Sequence, residues 1–184
     1  MKEISDLELI NKVIAGEKWA FGQIVKKHQP KIAATVINML GNTQEAEDVG
    51  QEVFIKFYKS IENFRGEAQL GTYLVRIAIN LSLNEIKKRK RQSLLSFERW
   101  SKSAEEALED ENKINELEQS EIIRRAMNKL NPKHRSVIVL RLVDGYSTEE
   151  TAKILNLPVG TVLSRLSRGQ QKLKELLAPY LNEL

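Results

Sequence analysis

The sequence predicts an all-α protein of two small helical domains joined by a flexible acidic linker, with a helix-turn-helix in the C-terminal domain. Leu, Ile, Glu, Lys and Ala are plentiful and aromatic residues make up only 6% of the chain, a composition that favours helices. Apolar residues recur at helical spacing, and no segment alternates with period two for long enough to indicate a strand. A chain of 184 residues is long enough for two small domains.

The first domain is predicted over residues 1–93. Ser5 and Glu8 have the spacing of a capping box, in which each side chain binds a free backbone N–H, so the first helix should begin there. Gly16 is the expected C-terminal cap. Pro30 is predicted to break or kink the second helix, because its ring removes a backbone donor and clashes with the preceding turn.

The third and fourth helices of this domain are also marked by local signals. Asn42 and Glu45 are predicted to begin the third helix as a capping pair. Two glycines bracket residues 64–71, which indicates a loop. The fourth helical pattern runs from Thr72 to about Arg91.

Charge divides the chain into three blocks. Residues 1–97 carry 15 Lys/Arg against 11 Asp/Glu, residues 98–121 carry 3 against 9, and residues 122–184 carry 11 against 5. The acidic block predicts a linker over residues 94–120, and the two basic blocks suggest a polyanion partner. Four apolar residues near its start are expected to pack on the first domain rather than on a partner: Leu94, Leu95, Phe97 and Trp100.

The C-terminal domain, residues 121–184, contains a predicted helix-turn-helix. Ser147 and Glu150 form a second capping box at the start of a short helix. Asn156 follows in the turn, where Asn tolerates the left-handed backbone. The next helix places Val162, Leu166 and Leu173 on an inner side.

The outer side of that last helix is polar and basic, which is typical of a helix that enters the major groove. The alternative is an ordinary solvated helix. The candidate DNA-binding residues are Thr161, Ser164, Arg165, Arg168 and Lys172.

The third helix carries an acidic face. Asp48, Gln51 and Glu52 are three and four residues apart, so they share one side of the helix, opposite its apolar stripe. A compact acidic patch in a basic domain favours a basic protein partner over DNA. A merely solvated face is the alternative.

The fourth helix carries a polar stripe that becomes more basic downstream. Arg and Lys can hold phosphates there, and Asn can hydrogen-bond a base. Tyr73, beside the loop, is either a stacking platform for an unpaired base or a core aromatic. The stripe consists of Arg76, Asn80, Asn84, Lys87 and Arg91.

Several classes of function lack the residues that they need. The chain has no cysteine, no apolar run of the length that a membrane span needs, and no apolar signal-peptide core, so a soluble cytoplasmic protein is expected. His28 and His134 lack metal-ligand spacing, and no phosphate loop or nucleophile motif is present. We therefore expect no catalytic residue, metal or cofactor. A DNA-binding regulator that uses only the helix-turn-helix is the runner-up.

Four segments together resemble the extracytoplasmic-function (ECF) group of the sigma-70 superfamily, and the resemblance covers nearly the whole chain. They are EDVGQEVFIK at 47–56, FRG at 64–66, TYLVRIAIN at 72–80 and LPVGTVLSR at 157–165. Each is weak alone, but their order and spacing are highly specific.

This resemblance implies a sigma factor that binds core RNA polymerase through its beta-prime and beta subunits and directs promoter-specific initiation. Residues 1–93 would be the region 2 domain, and Asp48, Gln51 and Glu52 would dock on the beta-prime coiled coil. The loop and fourth helix would capture a flipped minus-ten base. With the polar stripe, the minus-ten candidates are Arg65, Tyr73, Arg76, Asn80, Asn84, Lys87 and Arg91.

The same resemblance makes residues 121–184 the region 4 domain, whose helix-turn-helix would read the minus-thirty-five element. The matching residues are Thr161, Ser164, Arg165 and Arg168, with Lys172 beside them. The linker would lie along the RNA path of the polymerase. Because an anti-sigma factor commonly holds the family inactive, such a protein is a further expected partner.

The chain departs from the family pattern at four positions. Tyr73 stands where the family usually has Trp, and Gly71 occupies a position that is usually bulkier. Gly50 interrupts the docking helix where Ala is common, which costs about 1 kcal/mol of helix propensity. Leu163 replaces a frequent basic residue on the recognition helix.

Overall fold

The computed structural model describes residues 4–100 and 119–181, with side chains described over 4–93 and 120–180. Its described residues contain helices and turns and no strand, which confirms the all-α prediction. A 3-10 turn (Ile61–Asn63) precedes the fourth helix, and a π-helical turn (Val139–Val143) follows the sixth. The helices are α1 (Asp6–Ile14), α2 (Lys18–Leu40), α3 (Gln44–Lys59), α4 (Leu70–Trp100), α5 (Gln119–Lys129), α6 (Pro132–Ile138), α7 (Thr148–Leu155) and α8 (Val159–Leu181).

Helices α1 to α4 form the first unit, in which α2, α3 and α4 pack against one another and α1 packs on α2. The predicted capping box is confirmed, because Ser5 Oγ accepts from Glu8 N at 3.3 Å and Ser5 N donates to Glu8 Oε2 at 2.8 Å. Gly16 follows the helix with a φ of 94°, which only glycine adopts readily. The core side chains that the three long helices share include Ile24, Val53 and Leu74.

Helix α2 continues through Pro30, so a break at this residue, one of the two predicted outcomes, does not occur. A proline inside a helix costs about 3 kcal/mol, because it removes one hydrogen bond and crowds the preceding turn. Ile24 on one side of Pro30 and Ile32 and Val36 on the other are fully buried against the core. Packing along both halves of the helix offsets that cost, while Pro30 itself points to solvent.

Two boundaries differ from the predicted ones. Thr43, not Asn42, caps α3, and its Oγ1 accepts from Ala46 N at 3.3 Å. Helix α4 begins at Leu70, two residues before the predicted start, and its backbone remains helical to Trp100, inside the predicted linker. The rest of that linker, residues 101–118, and the side chains of its four apolar residues lie outside the described residues.

Helices α5 to α8 form the second unit, and its predicted helix-turn-helix is confirmed. Ser147 N donates to Glu150 Oε2 at 2.7 Å, and Ser147 Oγ accepts from Glu150 N at 3.1 Å, which completes the second capping box. Asn156 ends α7 in the left-handed region, with φ 51° and ψ 55°. Val162 on α8 is fully buried beneath this turn, together with Val137 and Ala152.

The two units contact each other where α2 and α4 of the first meet α5, α6 and α7 of the second. Arg135 is only 6% exposed, and its Nη1 donates to the backbone oxygen of Met39 in α2 at 2.5 Å. The same guanidinium also binds Asn128 Oδ1 and the carbonyl oxygens of Asn128 and Leu130. Burial, and then the nearby charge of Arg89, lower the pKa of Arg135 to about 10.

A second set of contacts lies beside this arginine. Lys31 Nζ lies 4.5 Å from the centre of the Tyr146 ring, in a cation–π arrangement. Gly41 follows α2 with a φ of 82°, and a side chain there would meet the Asn128 amide at 3.0 Å. Buried apolar residues of the second unit, including Leu140, belong to the same core cluster as those of the first unit.

Candidate nucleic-acid and polymerase interfaces

The polar stripe of α4 lies on the solvent side of the first unit. Leu74, Ala78 and Ile79 on the inner side of α4 are fully buried. Helical periodicity therefore turns the stripe outward, and every one of its members is exposed. These are Arg76, Asn80, Asn84, Lys87 and Arg91.

Tyr73 is half-buried at the start of α4, within a cluster of aromatic rings. Its ring centre lies 5.2 Å from that of Phe64 and 6.1 Å from that of Phe57, both in edge-to-face geometry. This packing fixes the ring, while its partial exposure leaves one part at the surface. Arg65 is exposed in the adjoining loop, beside Gly66, which has a φ of 68°.

The acidic face of α3 is a ridge between two grooves. Asp48 and Gln51 are exposed and Glu52 is half-buried. Asp48 and Glu52 line the groove between α3 and α4, whereas Gln51 lines the groove between α2 and α3. The second groove is largely apolar, with Phe54 and Ile55 in its wall.

The groove between α3 and α4 brings together the acidic face and the polar stripe. Asn84 and Arg91 of the stripe line its other wall, opposite Asp48 and Glu52. The α3 wall is acidic, whereas the α4 wall is mainly basic and polar and includes one carboxylate, that of Glu85. The arrangement suits two different partners side by side, a basic protein surface over α3 and a nucleic acid over α4.

Arg89, which the sequence analysis did not single out, connects α4 to the end of α2 and to the start of α3. Its guanidinium binds the Leu40 carbonyl oxygen at 3.3 Å, Thr43 Oγ1 at 3.0 Å and Glu45 Oε2 at 3.3 Å. The pKa of Glu45 is lowered by its own backbone N–H, then by Thr43 and by Arg89. Arg89 therefore links α2, α3 and α4. Its partners lie more than 40 residues away in the sequence, so no local spacing pattern could have revealed these contacts.

The helix-turn-helix presents the first half of α8 to solvent. Ser164 and Arg168 are exposed, whereas Thr161 and Arg165 are half-buried. Ser164 Oγ binds the Thr161 carbonyl oxygen at 3.0 Å, so its hydroxyl is oriented by its own helix. The predicted candidates at this end of α8 thus share one side, and Ser164 and Arg168 are its more exposed members.

Lys172 and His134 complete the surroundings of this face. Lys172 Nζ lies 3.1 Å from Glu175 Oε2, whose negative charge partly offsets that of the lysine. His134, at the start of α6, is half-buried, and its pKa is lowered by burial and then by Arg168 and Arg165. The lowered pKa favours the neutral imidazole, so the positive charge beside His134 comes from Arg165 and Arg168.

The described part of the chain offers no competing metal or membrane feature. Its side chains include no group of three or more His, Cys, Asp or Glu that could hold a metal ion. None of its helices has the length and apolarity to cross a membrane. His28 of α2 pairs with Asp6 of α1 at 3.2 Å, and its ring lies beside Gly71 of α4.

Family models place two known regions on this chain. The model for Sigma-70 region 2 matches residues 24–92, which lie in the first unit and include the α3 ridge and the α4 stripe. The model for Sigma-70, region 4 matches residues 120–173, which include the helix-turn-helix.

Two curated proteins and one solved structure are similar over almost their full lengths. The chain is 38% identical to the ECF RNA polymerase sigma factor SigW of Bacillus subtilis, over 91% of this chain and 94% of that protein. It is 34% identical to the RNA polymerase sigma-H factor of Pseudomonas aeruginosa, over 97% and 96%. The sigma factor RpoE of Bartonella quintana, solved in complex with the anti-sigma factor NepR, is 25% identical with a TM-score of 0.67, over 86% and 96%.

Proposed function

The chain belongs to the ECF sigma factors of the sigma-70 family, and from this premise we propose that its two helical units divide the recognition of a promoter. As a sigma factor, it directs promoter-specific transcription initiation by RNA polymerase. We assign residues 1–93 to polymerase docking and the minus-ten element, residues 94–120 to a linker, and residues 121–184 to the minus-thirty-five element.

Docking on core polymerase is assigned to the ridge on α3. Asp48, Gln51 and Glu52 present two carboxylates and an amide without burying them in the fold. Charge complementarity favours a basic partner surface, for which the beta-prime coiled coil is the proposed one, with the beta subunit as a further contact. Glu52 is already half-buried in the free protein, whereas Asp48 is exposed. Docking would therefore remove less water from Glu52 than from Asp48.

Minus-ten recognition is assigned to the exposed stripe of α4 and to the loop before it. Arg76 and Lys87 would hold the phosphate backbone, and Asn80 and Asn84 have the donors and acceptors that read base edges. Arg65 would contact DNA from the loop. Because Tyr73 packs on Phe57 and Phe64, its proposed role is a fixed platform at the edge of the site rather than a mobile intercalating ring.

Minus-thirty-five recognition is assigned to the helix-turn-helix. Its recognition helix presents Thr161, Ser164, Arg165 and Arg168 from its first turns, which are the turns that enter the major groove in this motif. Arg can donate bidentately to guanine, and the hydroxyls can bind phosphates or base edges. Lys172 lies farther along α8 and is expected to approach only the backbone.

The observation that carries this proposal is the groove between α3 and α4, in which an acidic wall faces a wall that is mainly basic and polar. A regulator that used only its helix-turn-helix would leave both walls without a function. A pull-down of the purified chain with core RNA polymerase separates the two possibilities. We expect a stoichiometric complex, and a chain that bound DNA but never core polymerase would be a simple regulator.

Three further assignments belong to the same proposal. The chain would act in the cytoplasm, where the transcription machinery works, and would have no catalytic activity of its own. An anti-sigma factor is a proposed partner, because the similar Bartonella quintana protein was solved in complex with one. Co-purification of the chain from its own cells would test for such a protein.

A further inference from the structure

Two apolar side chains are exposed at the start of the recognition helix. Val159 is 41% exposed and Leu163 is 52% exposed, whereas Val162 between them is fully buried. Because a helix has about 3.6 residues per turn, residues four apart lie above one another, so Val159 and Leu163 form one continuous apolar strip. Neither residue belongs to the apolar clusters that stabilise the unit.

The strip is one flank of a three-part face. Helical periodicity places Thr161 and Arg168 on the opposite flank. Gly160 and Ser164 lie between the two flanks, and a side chain added at Gly160 would meet no other atom within 4 Å. A face with a small centre can approach base edges closely, while each flank reaches a different part of the groove.

The chemistry of the major groove identifies what an apolar flank can contact. Every base edge there offers hydrogen-bond donors or acceptors, and the only apolar group is the C5-methyl of thymine. Leu163 cannot hold a phosphate, and its own fold does not bury it.

We propose that Leu163, with Val159 beside it, contacts the C5-methyl of a thymine in the minus-thirty-five element and so helps to determine promoter specificity. The inference rests on the proposed function, in which α8 reads that element. This contact is apolar, so it depends on neither charge nor hydrogen bonding. The recognition helix would then read DNA in two ways, by polar contacts on one flank and by apolar contacts on the other.

Replacing thymine by deoxyuridine tests this contact, because it removes the methyl group and leaves the hydrogen-bonding edge unchanged. Holoenzyme made with the full chain is first used to select its preferred minus-thirty-five sequence. Each thymine of that sequence is then replaced singly by deoxyuridine, and the affinity of the holoenzyme for each modified promoter is measured. One replacement should weaken binding about four-fold, the effect of losing one buried methyl group, and Leu163→Ala should abolish that sensitivity.

Leu142→Ala is the matched control, because Leu142 is 53% exposed in the same unit but lies off the recognition helix. This variant should keep the full sensitivity to deoxyuridine. Circular dichroism of Leu163→Ala verifies that the helices are intact.

The inference would be overturned if deoxyuridine weakened binding of wild type and of Leu163→Ala equally at every thymine. It would also be overturned if the preferred element contained no thymine, or if replacing each thymine had no effect. In each of those cases the holoenzyme would still prefer a minus-thirty-five sequence, so the proposed function would stand. Absence of any such preference would overturn both.

Discussion

Thr35 in α2 donates a hydrogen bond from Oγ1 to Oδ2 of Asp144, at 3.0 Å, across the contact between the two helical units. The same hydroxyl lies 3.0 Å from the carbonyl oxygen of Lys31, one turn earlier. Thr35 is fully buried, and Asp144 is half-buried between the units. A carboxyl group is therefore partly desolvated at the contact between the two helical units.

This carboxyl group should make the contact depend on pH. Burial raises the pKa of Asp144, and the hydrogen bond from Thr35 and the charge of Lys31 only partly counteract it. A raised carboxyl pKa means that the packed arrangement binds the proton more tightly than the separated units do. The contribution of Asp144 to the contact is therefore full below the ordinary pKa of about 3.9 and is lost as pH rises through the raised value.

Asp144→Asn should remove this dependence and hold the units together more tightly at neutral pH, because an amide accepts the same hydrogen bond without a buried charge. Since the chain has no cysteine, dyes can be placed at Lys26→Cys and Lys174→Cys for energy-transfer measurements. Thr35→Val is the opposite control and should separate the units. An unchanged pH profile in Asp144→Asn would show that Asp144 does not govern the contact.

Asp48→Lys combined with Glu52→Lys should abolish binding to core polymerase while the fold remains intact. Both residues lie on the polar side of α3, away from the buried Val49 and Val53, so helicity should survive. The check is co-purification with core polymerase. Glu62→Lys, which reverses an exposed charge in the 3-10 turn of the same unit, should bind normally. A folded double variant with wild-type affinity would show that docking uses another surface.

Asn80→Ala should reduce promoter opening and relax the preference at one minus-ten base. The expected loss is about 1–3 kcal/mol, the contribution of a good base contact. Permanganate footprinting on a set of minus-ten variants measures both effects. Asn63→Ala removes an exposed amide outside the stripe and should change neither. Wild-type base preference in Asn80→Ala would remove Asn80 from the site.

Arg165→Ala or Arg168→Ala should reveal direct reading of a guanine in the minus-thirty-five element. If an arginine reads a guanine, its loss costs about 1–3 kcal/mol on the preferred site and much less on a site mutated at that base. Loss of a phosphate contact instead weakens all sites equally and reduces the salt dependence. Lys174→Ala, on the same helix, is the charge control. Uniform losses for both arginines would leave specificity to Thr161, Ser164, Leu163 or DNA shape.

Most features that depend on near neighbours in the chain were predictable, although the cap of α3 fell on Thr43 rather than on Asn42. The capping boxes at Ser5 and Ser147 and the left-handed Asn156 follow from interactions within a few residues, and each is present. The outward side of α4 and of α8 follows from helical periodicity, which needs only the positions of apolar residues.

Features that depend on distant packing were not predictable in this way. The continuity of α2 through Pro30 depends on the core around it, and the roles of Arg89 and Arg135 depend on carbonyl groups 49 and 96 residues away. Periodicity indicates which side of a helix is buried, but it does not identify the helix against which that side packs. The groove that joins the α3 ridge to the α4 stripe appears only when those two helices are packed.

The most direct test of the central claim is multi-round transcription by core RNA polymerase, with and without this chain, on a supercoiled library of random promoters. We predict that the chain produces transcripts from a subset of templates that share one minus-ten and one minus-thirty-five sequence at a fixed spacing. The Asp48→Lys and Glu52→Lys double variant should produce none of them. Transcripts that are the same with and without the chain, or that share no sequence element, would contradict its action as a promoter-specificity subunit.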